Sequence, residues 1–133
     1  MKKQPKYLKK IAEQKMIYKP IKFEPVPNTT TIKVVEEYEF KNLASIHKIP
    51  VGFISDGASI PRPFWPFTYP PFHPKVITGA AVHDYLYRYK KVRRIDADTL
   101  ASEIWEDHGA GAIRTFLMYF AIRFFGRWHY GIK

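Results

Sequence analysis

The chain has 133 residues, which is the length of one domain, and 46% of them are hydrophobic, which is enough to build a compact core. It contains no cysteine, so a disulfide framework, a zinc–thiolate site and a catalytic thiol are all excluded. The formal net charge of +10 fits contact with phosphates or with an acidic protein surface, or a solvated, mobile basic arm that aids solubility.

The first part of the chain is a basic segment. Residues 1–22 contain eight lysines and one acidic residue, Glu13, so they carry most of the net charge. Three prolines between positions 20 and 27 then prevent regular structure. No apolar stretch follows the lysines, so we expect no signal peptide. We predict a basic, partly extended N-terminal arm over residues 1–28 and a single globular domain over residues 29–133.

Two β-strands are predicted next. Residues 29–40 are rich in Thr, Ile, Val, Tyr and Phe that alternate with charged residues, which is the pattern of a half-buried strand. Residues 46–54 form the second strand, in which Pro50 requires an edge position or a break. The simplest topology pairs the two strands antiparallel.

A polar turn and an aromatic segment separate the strands from the helices. Residues 55–61 form the turn, in which Asp56 and Ser59 can each bond nearby backbone N–H groups. Residues 62–74 are dense in proline and aromatic residues, which suits neither a regular helix nor a strand. We expect an irregular wrap that covers the core or offers a docking surface.

The first helix is predicted over residues 74–90. Its centre carries the adjacent pair His83 and Asp84, and Tyr87 lies one turn after the histidine on the same face. Gly79 precedes the pair by one turn and leaves room for another element to approach. The sequence therefore places a titratable pair in the middle of a helix that is mostly packed.

Two more helices complete the chain. Asp96 is predicted to cap a helix over residues 97–107. The last helix, over residues 112–125, is apolar almost all round, so we expect it to be the central core helix or to pack against another chain as well. Arg and Thr interrupt its apolar run, so no transmembrane segment is expected. The element order predicts an α+β fold, with a small N-terminal antiparallel β-hairpin or sheet packed on a C-terminal three-helix unit.

Four sequence blocks occur in the order of one known family. They are Gly-Phe-Ile-Ser-Asp-Gly-Ala-Ser-Ile-Pro at residues 52–61, Ala-Val-His-Asp-Tyr-Leu-Tyr at residues 81–87, the pair Ala97 and Asp98, and a helix that ends at residues 125–126. Together they resemble the phage and prophage family called domain of unknown function 1353. The family pattern carries the following residues of this chain: Asp56, Ser59, Pro61, His83, Asp84, Tyr87 and Asp98.

The resemblance implies a phage origin but no reaction, because no activity is established for the family. It implies a location in the host cytoplasm during infection or in the virion. We therefore expect an accessory protein of the virion or tail, or one that acts at the host interface, with other phage structural proteins or a host protein as its partner. The aromatic segment and the apolar last helix suit such contacts. Nucleic acid is a third kind of partner, which would bind through the basic arm.

A metal-assisted hydrolase is the alternative function. An adjacent His–Asp pair on a helix can offer a nitrogen and an oxygen to a divalent metal ion, and a carboxylate from a neighbouring element can complete the site or orient the histidine as a base. The candidate catalytic residues are His83, Asp84 and Asp98, and the candidate metal ligands are Asp56, His83 and Asp84. Residues 83–87 are similar to the secreted phospholipase A2 helix, where His activates water and Asp binds calcium. The order of His73, the His–Asp pair and Asp98 is similar to that of the HD phosphohydrolases.

The same residues also fit a buried polar network without catalysis. Asp56 and Ser59 would brace the turn. On the helices, the imidazole of His83 and the carboxylates would satisfy one another, and Tyr87 would hold a carboxylate in place. Such a network would fix how the hairpin sits on the helices.

Overall fold

A computed structural model describes residues 17–42, 45–56, 62–69 and 73–128. Ser59 and the residues before position 17 lie outside the described residues. Five short strands come first: β1 (Phe23–Pro25), β2 (Ile32–Val34), β3 (Tyr38–Asn42), β4 (Ser45–Ile49) and β5 (Ile54–Ser55). A 3₁₀ helix at Arg62–Phe67 precedes α1 (Ile77–Arg88), α2 (Arg94–Asp107) and α3 (Ala112–Phe125), and a second 3₁₀ helix, Gly126–Trp128, follows α3. Antiparallel strands followed by three helices confirm the predicted α+β class.

The strands form two small antiparallel sheets. One has the order β1-β2-β5, and the other consists of β3 and β4. The strand predicted over residues 29–40 is thus two strands, and the strand predicted over residues 46–54 is interrupted after Pro50 by a turn with Gly52 in the left-handed region. The pairing of early with late strands is antiparallel, as expected. In β3 the side chains alternate between buried and exposed, so one face of this hairpin lies on the core.

The segment that precedes β2 is more ordered than its prolines indicate. β1 pairs with β2, and Pro25 is tolerated because β1 is at the edge of its sheet and pairs on one side only. The backbone N–H of Ile21 donates to Thr78 Oγ1 on α1 at 3.0 Å, and Tyr38 donates its hydroxyl to the carbonyl oxygen of Lys19 at 2.7 Å. The prediction that the prolines prevent regular structure here is therefore wrong.

Helix α1 runs through the middle of the molecule. Residues 77–87 are all buried, because the strands cover one side of the helix and α2 covers another. A Cβ atom at Gly79 would lie 2.7 Å from the indole of Trp105 and 3.1 Å from the carbonyl oxygen of Ala101, both on α2. Gly79 thus allows the two helices to approach closely, as the sequence predicted. The indole also donates a hydrogen bond to the carbonyl oxygen of Val76, at 2.9 Å.

Helix α2 begins earlier than its sequence indicates. Its N-cap is Arg93, so Asp96 is not the cap but a residue of the first turn, where it accepts a 2.9 Å hydrogen bond from the Arg93 guanidinium. The prediction of an Asp96 cap is wrong by one turn. A carboxylate in the first turn still interacts favourably with the positive end of the helix dipole. At the other end, the Asp107 carboxylate accepts the backbone N–H groups of Ile17 and Tyr18 at 2.7 and 2.8 Å.

Helix α3 lies at the periphery. Its buried residues are Thr115, Met118, Ala121 and Ile122, which pack with Trp105 and the small residues of α1 and α2. The prediction of a central core helix is wrong, because the opposite side of α3 faces solvent with its large apolar residues. Within the described residues, no helix is long and apolar enough to cross a membrane.

Candidate functional site

The carboxylate of Asp98 is the centre of a polar cluster between the three helices. Asp98 lies on α2 with no exposed surface. Its Oδ1 lies 2.6 Å from Nε2 of His83 and accepts the hydroxyl proton of Tyr87 at 2.5 Å, both from α1. Its Oδ2 accepts Arg123 Nη1 from α3 at 2.8 Å. One buried carboxylate therefore joins three helices, and we call these four residues the Asp98 centre.

Helical spacing explains why α1 supplies two groups to the same oxygen. His83 and Tyr87 lie four residues apart, and their rings are 4.0 Å apart between centroids. Gly126, directly after α3, sits against this pair: a Cβ atom there would lie 2.9 Å from the Tyr87 hydroxyl oxygen. The end of α3 can therefore reach the Asp98 centre only because residue 126 has no side chain.

A second arginine extends the cluster to the backbone of α3. Arg94, in the first turn of α2, donates Nε to the Tyr87 hydroxyl oxygen at 2.9 Å and Nη2 to the carbonyl oxygen of Ile122 at 3.2 Å. It also donates to the carbonyl oxygen of Arg123. The hydroxyl of Tyr87 thus accepts a hydrogen bond from Arg94 and donates its proton to Asp98.

The charges of the Asp98 centre favour an ionised carboxylate. Burial by itself would raise the pKa of Asp98, but the hydrogen bond and charge of His83, together with the hydrogen bonds from Tyr87 and Arg123, outweigh it and hold the pKa below its usual value. Burial raises the pKa of Tyr87, and its hydrogen bond to Asp98 raises it further. The hydrogen bond to Asp98 raises the pKa of Arg123. A carboxylate, a neutral phenol and a guanidinium therefore persist together across neutral pH.

The geometry gives His83 a fixed orientation. With Asp98 ionised, Nε2 carries the proton that points to the carboxylate, and Nδ1 is left as the second nitrogen of the ring. A carboxylate that fixes the tautomer and orientation of an imidazole is the arrangement used by general bases. The same contact also holds α1 against α2, since only 4% of His83 is exposed. Chemically, the centre can orient a base or act as a cross-link between helices.

The other predicted site residues are not among the hydrogen-bond partners of the Asp98 carboxylate. Asp84 is buried on α1, where Arg88 donates to its carboxylate at 3.4 Å and stacks over the ring of Phe53. Asp56 is exposed directly after β5, and among the described residues no hydrogen bond or ion pair connects it with His83 or Asp98. The structure thus brings His83, Tyr87 and Asp98 together, and a metal-binding role of Asp56, His83 and Asp84 stays a prediction. In the part of the chain that the structure describes, no three His, Asp or Glu side chains form a group that could hold a metal ion.

Sequence reasoning missed the two arginines of the cluster. Arg94 precedes a predicted helix start, and Arg123 lies in the last turn of an apolar helix, so each has an ordinary surface explanation. The only signal was that Arg123 interrupts a run of apolar residues, which is costly unless the guanidinium finds a partner. Its partner, Asp98, lies 25 positions earlier in the chain.

A second candidate site is the solvent side of α3. Its members share one face of the helix and expose between 38% (Leu117) and 78% (Ile113) of their surface. We call this surface the α3 face; it consists of Ile113, Phe116, Leu117, Phe120 and Phe124. Most of it, with Phe64 and Thr68 beside the first 3₁₀ helix, lines an open groove of about 680 Å³. Exposed apolar patches of this kind mark contact sites.

Comparison with known proteins gives one finding. The sequence profile of the family described as Protein of unknown function (DUF1353) matches residues 32–122. Neither the curated proteins nor the solved structures contain a match. The matched range includes His83, Tyr87 and Asp98 and ends one residue before Arg123. Because the match covers more than half of the chain, this protein belongs to the family of unknown function DUF1353.

Proposed function

We propose that this protein is a phage-encoded accessory protein that acts by binding another protein, in the virion or tail or at the host interface. The observation that carries the proposal is the α3 face. Three phenylalanines, a leucine and an isoleucine are exposed side by side on one helix, while the opposite side of the same helix is buried in the fold.

Such a surface is costly for a protein that works alone. Burial of one large apolar side chain contributes about 1.5–3 kcal/mol, and the α3 face leaves much of that contribution unused on five neighbouring residues. Exposed phenylalanine also promotes unspecific association, and exposed apolar patches often mark contact sites. A partner that covers the α3 face recovers this free energy.

The resemblance to phage and prophage proteins supports the biological setting. The aromatic content of 17% also suits a contact surface. The groove is concave, so a partner must have a complementary shape to bind there.

Particle association tests the proposal. Particles released from cells that carry the encoding phage or prophage are purified on a density gradient and probed with an antibody against this chain. We expect the wild type to sediment with the particles and the double variant Phe116→Ser/Phe120→Ser to remain in the soluble fraction. The control is Ile46→Ser, an equally exposed apolar residue of β4. Absence of the wild type from particles and from host complexes alike would contradict the proposal.

A hydrolase with His83 as general base is the second candidate function. The specific observation is the 2.6 Å contact between His83 Nε2 and Asp98 Oδ1, which orients the imidazole as a base requires. Chromogenic carboxylic and phosphoric esters, with and without calcium, magnesium, manganese or zinc, are suitable probes. Turnover that is lost in His83→Gln and retained in His47→Gln supports this function. No turnover with any probe, or equal turnover in His83→Gln, excludes it for these ester classes.

A further inference from the structure

We infer that the α3 face binds an amphipathic helix of the partner protein, with acidic residues beside the apolar stripe of that helix. The inference rests on the proposed function and names the chemistry of the partner. It follows from three features of the described residues: the shape of the groove, the spacing of the apolar side chains and the sign of the surrounding charge.

The spacing fits a helical ligand. The α3 face occupies positions i, i+3, i+4, i+7 and i+11 of the helix, which places its side chains in one straight stripe. From Ile113 to Phe124 the stripe is about 17 Å long at 1.5 Å per residue. This length matches about three turns of a second helix, whose own apolar side chains repeat with the same period.

The groove gives the ligand a place to lie. Phe64 and Thr68, from the first 3₁₀ helix and the residue after it, line the groove together with residues of α3. A ridge of side chains from a helix can enter such an open groove. A flat lipid surface would touch the exposed phenylalanines without entering the groove, so the shape favours a helix.

Two arginines lie near the groove among the described residues. Arg114 stacks over the ring of Tyr69 at 4.4 Å, and Arg127 lies over the ring of Phe124 at 5.3 Å. No aspartate or glutamate occurs in residues 57–83 or 108–128, which include every residue of the groove. Carboxylates beside an apolar ligand stripe would therefore be attracted by these arginines, and the two segments that line the groove contribute no like charge.

The same charges disfavour a second copy of this chain. Two α3 faces related by a twofold axis would bring Arg114 and Arg127 of one copy towards the arginines of the other. Neither face carries an acidic residue that could neutralise them. A different protein with acidic residues is thus favoured as the partner over a second copy of this chain.

The test uses stapled helical peptides of about 14 residues, because free helices of that length are marginal in water. The first peptide has an apolar stripe with glutamates on both sides, and the second has the same stripe with lysines. Affinities for the full chain are measured by fluorescence anisotropy at low salt and at about 0.5 M salt, where charge attraction is screened. The variants are Phe116→Ser/Phe120→Ser and Arg114→Gln/Arg127→Gln, with Ile46→Ser as the control. Arg123 is left unchanged because it belongs to the Asp98 centre.

We expect the acidic peptide to bind at least about tenfold more tightly than the basic one, with the difference reduced by salt and by the arginine substitutions. The serine variant should lose at least about tenfold in affinity, and the control should not change. Equal binding of both peptides overturns the acidic partner. Binding to vesicles of phosphatidylcholine with about one quarter phosphatidylserine, without binding to either peptide, assigns the face to a lipid surface. Dimerisation in sedimentation analysis that the serine variant abolishes assigns it to a second copy.

The failure of this inference is distinguishable from failure of the proposed function. If particle association depends on Phe116 and Phe120 while neither peptide binds, the partner is not an acidic helix and the proposed function stands. If the acidic peptide binds but particle association is unchanged in the serine variant, the surface binds helices, and the role of the α3 face in the proposed function is wrong.

Discussion

His83 Nε2 lies 2.6 Å from Asp98 Oδ1, although 15 positions separate the two residues in the chain. The contact joins α1 to α2, and Arg123 brings α3 to the other oxygen of the same carboxylate. The arrangement of the three helices therefore depends on one negative charge that is fully removed from water. Its removal should affect stability more than the loss of any surface ion pair.

Asp98→Asn should lower the free energy of unfolding by about 2–4 kcal/mol, because it leaves the guanidinium of Arg123 without its anion and replaces an acceptor of the centre. Urea unfolding followed by circular dichroism measures the change. Asp96→Asn is the matched control on the same helix, since its pair with Arg93 is exposed and worth about 0–1 kcal/mol. Equal effects of the two substitutions would show that the Asp98 centre contributes nothing beyond a surface pair.

Acid should weaken the fold through the same carboxylate. The pKa of Asp98 is lowered in the folded state from its ordinary value of 3.8, so the unfolded chain takes up the proton first as the pH falls. The contribution of Asp98 is thus complete above about pH 5 and is lost between that pH and the lowered pKa. Free energies of unfolding should fall more steeply with decreasing pH in the wild type than in Asp98→Asn. Parallel pH profiles would be inconsistent with a lowered pKa.

Gly79→Ala should destabilise the protein by about 1–3 kcal/mol, although alanine is the better helix former. The added Cβ would lie 2.7 Å from the Trp105 indole, so α1 and α2 must separate or the indole must rotate away from the carbonyl oxygen of Val76. The background Trp105→Leu provides the test, because it removes the ring atoms that would clash. In that background Gly79→Ala should cost less, and an additive double mutant would contradict this origin of the effect.

The two sides of α3 should respond differently to truncation. Met118→Ala creates a cavity beside Trp105 and should cost about 2–5 kcal/mol. Phe120→Ala removes a larger side chain from the exposed side and should change the free energy of unfolding by less than about 1 kcal/mol in the absence of a partner. Thermal and urea unfolding of the two variants measure the difference. A large loss in Phe120→Ala would mean that this side chain already packs within the fold.

The helices were predictable because their local signals agree with their packing. The bounds of α3 follow from the apolar run between Gly111 and Gly126, and the close contact at Gly79 follows from a small residue one turn before a buried pair. The strands were less predictable, since a turn at Gly52 divides one β-rich run and Pro25 occurs within an edge strand. Short strands carry too few residues for alternation to fix their ends.

The side of α3 that faces the core could not be predicted, because hydrophobicity alone does not separate its two sides. Thr115 and Met118 are buried while Phe116 and Phe120 are exposed, which reverses the order that side-chain hydrophobicity favours. The less hydrophobic side of α3 is buried because the guanidinium of Arg123 must reach Asp98. The Asp98 centre itself depends on contacts between residues that are distant in sequence, and a single sequence gives no indication of such pairs.

Arg123 belongs to the Asp98 centre and also borders the α3 face. Its side chain is 33% exposed, and it lies next to Phe124 and one turn after Phe120 while it holds the Asp98 carboxylate. A molecule seated on the α3 face would shield this ion pair from water and strengthen it. Binding of a molecule to the α3 face should therefore slow the hydrogen–deuterium exchange of the buried amides around residue 98.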